Sequence, residues 1–118
     1  MGAAEFFRGE PDALVIHHAV EAAVASIGGA EARVSKSQVG FYRRHPFAAT
    51  WKPSLYLAGD RPPLVLSVYL PARDSSSRWK EVVEPSKGRF THHIELWSVK
   101  DVDEFVRSKL REVWQHAA

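Results

Sequence analysis

Cysteine is missing from all 118 residues, which excludes disulfides, thiolate nucleophiles and zinc sites built on sulfur ligands. Long apolar runs are missing as well. The stretch Leu64–Leu70 is far short of the roughly 20 residues that a membrane-spanning helix needs, and the N-terminus shows no basic stretch followed by an apolar one. A cytoplasmic protein without membrane association is therefore expected. Glycine is sparse and scattered, with only Gly28 and Gly29 adjoining among seven. Phosphate-cradling loops, dinucleotide fingerprints and serine elbows all need glycines at fixed short spacings, and none is present.

What is there suits one hydrophobic core. Hydrophobic residues make up 45% of the chain and charged residues 25%, and the length falls within the usual range of roughly 50 to 250 residues for one domain. A single domain over residues 1–118 is expected. The net charge of +2 conceals an uneven distribution. Residues 33–89 carry eleven Lys and Arg against four Asp and Glu, whereas residues 1–32 sum to −4 and residues 90–118 to −1. The basic middle bears on partners more than the total does.

Pro11 suits a first helical position, where its missing N–H would be unpaired anyway, and Ala13, Ile16, Val20, Val24 and Ile27 follow at helical spacing. Gly28-Gly29 predicts the stop. From Ala32 the period changes to two, and five segments near 32–36, 38–44, 47–52, 63–70 and 89–97 read as strands. They are separated by His45-Pro46, a Pro53-to-Pro62 stretch and a Pro71-to-Gly88 stretch, in which Arg78–Val83 reads as a short helical turn. Ser98 and Asp101 form a capping-box pattern, with aspartate at the position usually held by glutamate or glutamine. Beyond it, Val102, Phe105, Val106, Leu110, Val113 and Trp114 trace one helical stripe. The predicted fold is α+β. A single antiparallel sheet of about five strands carries an N-terminal and a C-terminal helix packed on one face, in the order αβββββα.

Two helices on one face leave the other open. In the last strand Phe90, His92, Ile94 and Leu96 alternate with Arg89, Thr91, His93, Glu95 and Trp97, and the first set reads as core. In the fourth strand Leu64, Leu66, Val68 and Leu70 oppose Val65, Ser67 and Tyr69. His92 reads as a hydrogen-bonded core histidine, and His93 as exposed on the open face. The pairs His17-His18 and His92-His93 do not chelate as neighbours, and no His-x-His or His-Glu-x-x-His spacing accompanies them. No metal site, cofactor or catalytic residue is assigned.

Lys36, Arg43, Arg44, Lys52, Arg78, Lys80, Lys87 and Arg89 are interleaved with Phe41, Tyr42, Trp51, Tyr56 and Trp79. Cations beside stacking rings suit an anionic partner, whether a small molecule or a nucleic-acid strand. The ordinary alternative is an edge-protected sheet whose solvated face carries cross-strand charge pairs.

The strings Val34-Ser35-Lys36-Ser37-Gln38, Gly40-Phe41-Tyr42-Arg43-Arg44, Pro63-Leu64-Val65-Leu66-Ser67, Lys80-Glu81-Val82-Val83-Glu84-Pro85 and Gly88-Arg89-Phe90-Thr91-His92-His93-Ile94-Glu95-Leu96 resemble, over nearly the full length, a bacterial domain-of-unknown-function family. Its members are commonly labelled hypothetical or transport proteins. The resemblance implies no established catalytic residue, but it places Lys36, Arg43, Arg89, His92, His93 and Glu95 inside the matching strings. The element order is also similar to the frataxin type of iron chaperone, which would imply an acidic iron-binding helix. The first helix offers only Glu10, Asp12 and Glu21, and the sheet region is basic, so that chemistry does not fit.

The expectation is a non-enzymatic binding or regulatory module whose basic, aromatic sheet face takes an anionic ligand through Lys36, Arg43, Trp51, Tyr69, Arg89, His93 and Glu95. One alternative is a small hydrolase or isomerase using His93 with Glu95 on the same strand face. Another is a homodimer in which Trp97 and Tyr69 pack across a twofold axis.

Overall fold

The computed structural model describes residues 1–55 and 58–118. Tyr56, one of the aromatics interleaved with the basic middle, lies outside the described residues. A single helical turn, α1 (Ala3–Phe6), places Phe6 and Phe7 in the core ahead of α2 (Pro11–Ile27). Pro11 opens α2 as predicted, and Gly28 closes it at a φ of 137°. Glycine is needed there for a second reason. A Cβ on Gly28 would lie 2.2 Å from Cζ2 of Trp114, whose indole N–H donates to the Gly29 carbonyl at 2.9 Å.

At the other end the capping box of Ser98 and Asp101 forms, but it caps a short 3-10 turn, Val99–Asp101. Asp103 then caps α3 (Glu104–His116) by accepting from the Val106 amide. The predicted stripe is buried through Val102, Val106, Leu110 and Val113. Phe105 and Trp114 pack at its margin.

The sheet has six strands, not five: β1 (Glu31–Val34), β2 (Val39–Tyr42), β3 (Pro46–Trp51), β4 (Leu64–Leu70), β5 (Glu81–Ser86) and β6 (Arg89–Leu96). They run antiparallel in the order β1-β2-β3-β4-β6-β5. The additional strand, β5, occupies part of the stretch predicted as a helical turn. Its Val82-Val83 pair suits extended backbone, and Gly88 at a φ of 79° closes a tight hairpin onto β6. The Lys80 amide donates to the His93 carbonyl at 2.8 Å, extending the pairing by one residue. As an outer strand with mostly exposed residues, β5 carries no inward stripe to mark it in the sequence, and its Glu84 and Pro85 discourage pairing with another chain.

Both long helices lie on the sheet face bearing Phe41, Ala48, Leu66, Val68, Ile94 and Leu96, and the buried apolar side chains join in one cluster. His17 of α2 is fully buried in that layer. Its Nδ1 lies 2.8 Å from the Thr50 hydroxyl on β3, and its ring stacks on Phe41 at 5.9 Å. His92 is equally buried, as predicted for a core histidine. The Asp74 amide donates to its Nε2 at 2.8 Å, so the proton sits on Nδ1, which donates to the Phe90 carbonyl at 3.0 Å. Trp79 packs edge-on against His92 and on Phe105, joining β6 to α3. Among the described residues no helix is long and apolar enough to cross a membrane.

Candidate functional site

The pairing of β4 with β6 is regular from Leu64 opposite Leu96 to Leu70 opposite Phe90. The irregularity near Gly88 is confined to β5, between Val83 and Ser86. Alternation along β6 therefore holds, sending His92 to the core and His93 to the open face. Register then sets an arrangement that no single strand shows. Gly40 stands opposite Ala49, Ala49 opposite Ser67, Ser67 opposite His93 and His93 opposite Glu81, so one row crosses five strands. At about 4.8 Å between strands the row runs roughly 19 Å. Its first three members are small, but the Tyr42 ring covers Gly40 and Ala49 is fully buried, so the row opens as a trough from Ser67 through His93 to Glu81. Larger side chains rise beside it, with Trp51 on one side and Tyr42 and Tyr69 on the other. Glycine is required at one end of the row, because a Cβ on Gly40 would lie 2.9 Å from the Tyr42 ring.

Two hollows with lining residues in common lie along this trough. One, of about 320 Å³, is lined by Trp51, Val65, Glu81, His93 and Glu95, among others. The second, of about 490 Å³, shares Trp51, Glu81 and His93 and extends to Gln38, Tyr69 and Arg89.

Where they meet, three side chains form a hydrogen-bonded chain. The Trp51 indole N–H donates to Ser67 Oγ at 2.9 Å, and Ser67 Oγ lies 2.6 Å from His93 Nδ1. An indole nitrogen can only donate, so Ser67 accepts from Trp51; among the described contacts His93 Nδ1 is the acceptor its own hydroxyl meets, and donation to that nitrogen uses every group. That leaves the His93 proton on Nε2, the ring donor left for a ligand. Burial is the main influence on the imidazole and lowers its pKa, against an opposing pull from Glu81. His93 is thus a neutral donor at pH 7 rather than a cation. The Trp51 ring stands edge-on to it, 5.8 Å between centroids.

Ser67 is a positioning residue in this arrangement. It is buried within a paired strand, one of its lone pairs is occupied by Trp51, and its neighbours' amides belong to the ladder. A serine nucleophile needs donors aimed at a developing oxyanion, and a strand paired on both sides offers no amides for that role.

Arg89 lies over the Tyr69 ring with its guanidinium carbon 4.2 Å from the centroid. Burial raises the Tyr69 pKa, and Arg89 and Gln38 pull it the other way through charge and hydrogen bonding. One end of the trough is thus cationic and rich in donors. The other end is acidic, with Glu81 and Glu95 on either side of His93 and Lys80 at the rim.

Of the seven residues singled out in the sequence, Trp51, Tyr69, Arg89, His93 and Glu95 converge on this trough. Lys36 sits exposed in the β1–β2 turn, beside Ser37 and Gln38, which do line it. Arg43 is directed elsewhere. Its guanidinium donates to the Trp114 carbonyl at 2.9 Å and stacks on the Trp114 ring at 3.5 Å, holding the end of α3. Much of the basic middle is similarly occupied. Arg33 pairs with Glu31, Lys52 with Glu10 and Arg78 with Asp103. Sequence reading missed Glu81 and the linking role of Ser67. A hydroxyl inside the otherwise apolar run Leu64–Leu70 was the available signal for Ser67.

Among the described residues no group of three or more His, Cys, Asp or Glu is arranged to hold a metal ion. No curated protein and no solved structure matches the chain. The family described as domain of unknown function DUF5655 matches residues 3–117, and the chain belongs to it.

Proposed function

We propose that the chain is a non-enzymatic binding module that takes a small anionic molecule in the trough of the open sheet face. The observation that supports this reading is the pair of hollows on the open face that share Trp51, Glu81 and His93, one of which reaches Tyr69 and Arg89. Trp51 and Tyr69 supply flat apolar surface, Arg89 the anion contact, and the His93 Nε2–H a neutral donor between them. A nucleic-acid strand is a poorer fit. Phosphate tracking needs a continuous stripe of available cations, whereas Arg43 is held against the end of α3, Lys52 pairs with Glu10, and Arg33 and Arg78 pair at the surface with Glu31 and Asp103.

Calorimetric titration at low salt with small carboxylates, amino acids among them, and phosphorylated metabolites tests the proposal. Saturable binding is expected, weakened about tenfold or more when Arg89→Ala removes the charge-assisted contact. Absence of binding by every such compound, with the protein shown to be folded, would sink it.

A second reading has one observation in its favour: His93 and Glu95 line the same hollow, as an acid–base pair of a hydrolase or isomerase would. Turnover of a screened substrate that is lost in His93→Ala would establish it, and turnover that survives the substitution would exclude these residues.

A further inference from the structure

The trough differs in charge from end to end, and that difference speaks to the ligand's class. Glu81 stands opposite His93 in register, and Glu95 lies two residues further along the same face of β6. Among the described residues neither carboxylate is in an ion pair. Both line the hollow that His93 and Trp51 share. Lys80 at the rim offsets one of the two charges, leaving a net negative end. At the opposite end Arg89 lies over Tyr69, which pairs with Thr91. The guanidinium is therefore held near the level of Thr91, two residues along β6 from His93 and four from Glu95. At about 3.4 Å per residue, the cation lies roughly 7 Å along the strand from the level of Glu81 and roughly 14 Å from that of Glu95.

A purely anionic ligand that filled the trough would satisfy Arg89 but bring its remaining surface against two unpaired carboxylates. A purely cationic one would meet the reverse penalty at Arg89. From this geometry we infer that the trough is built for a small zwitterion, with its carboxylate at Arg89 and its ammonium group between Glu81 and Glu95. An apolar or aromatic body would lie across Ser67 and Thr91 between Trp51 and Tyr69. This rests on the proposed binding role of the open face and adds the second, opposite charge. The acidic end discriminates between ligands by repelling simple anions, as much as it attracts the ammonium group.

The test uses three related probes on the full chain: para-(aminomethyl)benzoate, benzoate and benzylamine. Binding is followed by chemical-shift changes of Trp51 and His93. The zwitterion is expected to bind about tenfold or more tightly than either singly charged probe. In Glu81→Gln/Glu95→Gln that advantage over benzoate is expected to vanish, with benzoate itself bound as well as before or better. Glu81 is exposed and Glu95 only partly buried, so the doubly substituted chain should fold, and circular dichroism checks that it does. Equal binding of benzoate and the zwitterion by the unsubstituted chain would overturn the zwitterion inference while leaving the anion site standing. Binding of benzylamine alone would overturn both, as would failure of all three probes to shift either residue. A zwitterion advantage that persists in the doubly substituted chain would place the ammonium group elsewhere and overturn the assignment to Glu81 and Glu95.

Discussion

Ser67 and His93 face each other across β4 and β6, with Ser67 Oγ 2.6 Å from His93 Nδ1. Ser67 also accepts from Trp51, and among the described contacts His93 Nδ1 is the acceptor that its one proton meets, so the arrangement that satisfies all three groups puts the histidine proton on Nε2. Long-range proton–nitrogen correlation spectra should show His93 as the Nε2–H form at pH 7.5. In Ser67→Ala the Nδ1–H form should appear beside it, since nothing then holds a donor against Nδ1. The same substitution leaves the Trp51 indole without its serine acceptor and should cost about 1–2 kcal/mol in denaturant unfolding. An unchanged tautomer in Ser67→Ala would show that the serine does not control the ring.

Stability should fall as the solution is acidified through the histidine range. His17, His92 and His93 all have lowered pKa values, with burial the largest cause for each. The unfolded chain, whose histidines titrate near 6.5, then binds more protons than the folded one between that value and the lower folded ones. Stability therefore rises with pH across this window and is lost as pH falls through it. The melting temperature should drop from pH 7.5 to pH 5. His92 makes the strongest single case, because protonating Nε2 turns the acceptor of the Asp74 amide into a donor. Replacing it by alanine should destabilise the fold by about 2–4 kcal/mol through the unpaired amide and the vacated volume. A melting temperature flat from pH 7.5 to pH 5 would contradict the burial assigned to these rings.

How much of this was legible in the sequence follows from what each signal encodes. Period-two alternation records which face a residue occupies, so the core residues His92, Ile94 and Leu96 and the open-face set around His93 could be read directly, whereas Phe90, read with that core, is only half-buried and lies outside the apolar cluster. Alternation says nothing about which residue stands opposite which. The row Gly40–Ala49–Ser67–His93–Glu81 exists only through the register of four strand pairs, and so the trough was out of reach. β5 was missed because an outer strand with few buried residues need not alternate, and with it went Glu81. Charge composition likewise counts cations without saying where they are used. Arg43 and Arg89 look alike in the sequence, yet one closes a helix and the other faces the trough.

Gly28 carries two independent constraints, and its replacement should separate them from ordinary helix propensity. Its φ of 137° lies in the range that favours glycine, and the space a methyl group would enter is filled by Trp114. Gly28→Ala should therefore cost more than the roughly 1–3 kcal/mol attached to backbone strain alone, with a change in tryptophan fluorescence as Trp114 moves from Gly29. Gly59→Ala, at a φ of 83° that also favours glycine, meets nothing within 4 Å among the described residues. It should show the strain cost without the fluorescence change. Equal behaviour of the two variants would mean that Trp114 gives way freely.

Arg43 separates a structural cation from a ligand contact. It stacks on Trp114 at 3.5 Å and donates to that residue's carbonyl, near the C-terminus of α3, where a positive charge meets the negative end of the helix dipole. Exposure of the guanidinium limits the gain. Arg43→Ala should lower unfolding stability by about 1 kcal/mol and leave the affinity of any trough ligand unchanged. Arg89→Ala should do the reverse, weakening the ligand with little loss of stability. If Arg43→Ala instead reduced ligand affinity as strongly as Arg89→Ala while the melting temperature held, the anion site would have to include the end of α3, and the trough would be only part of it.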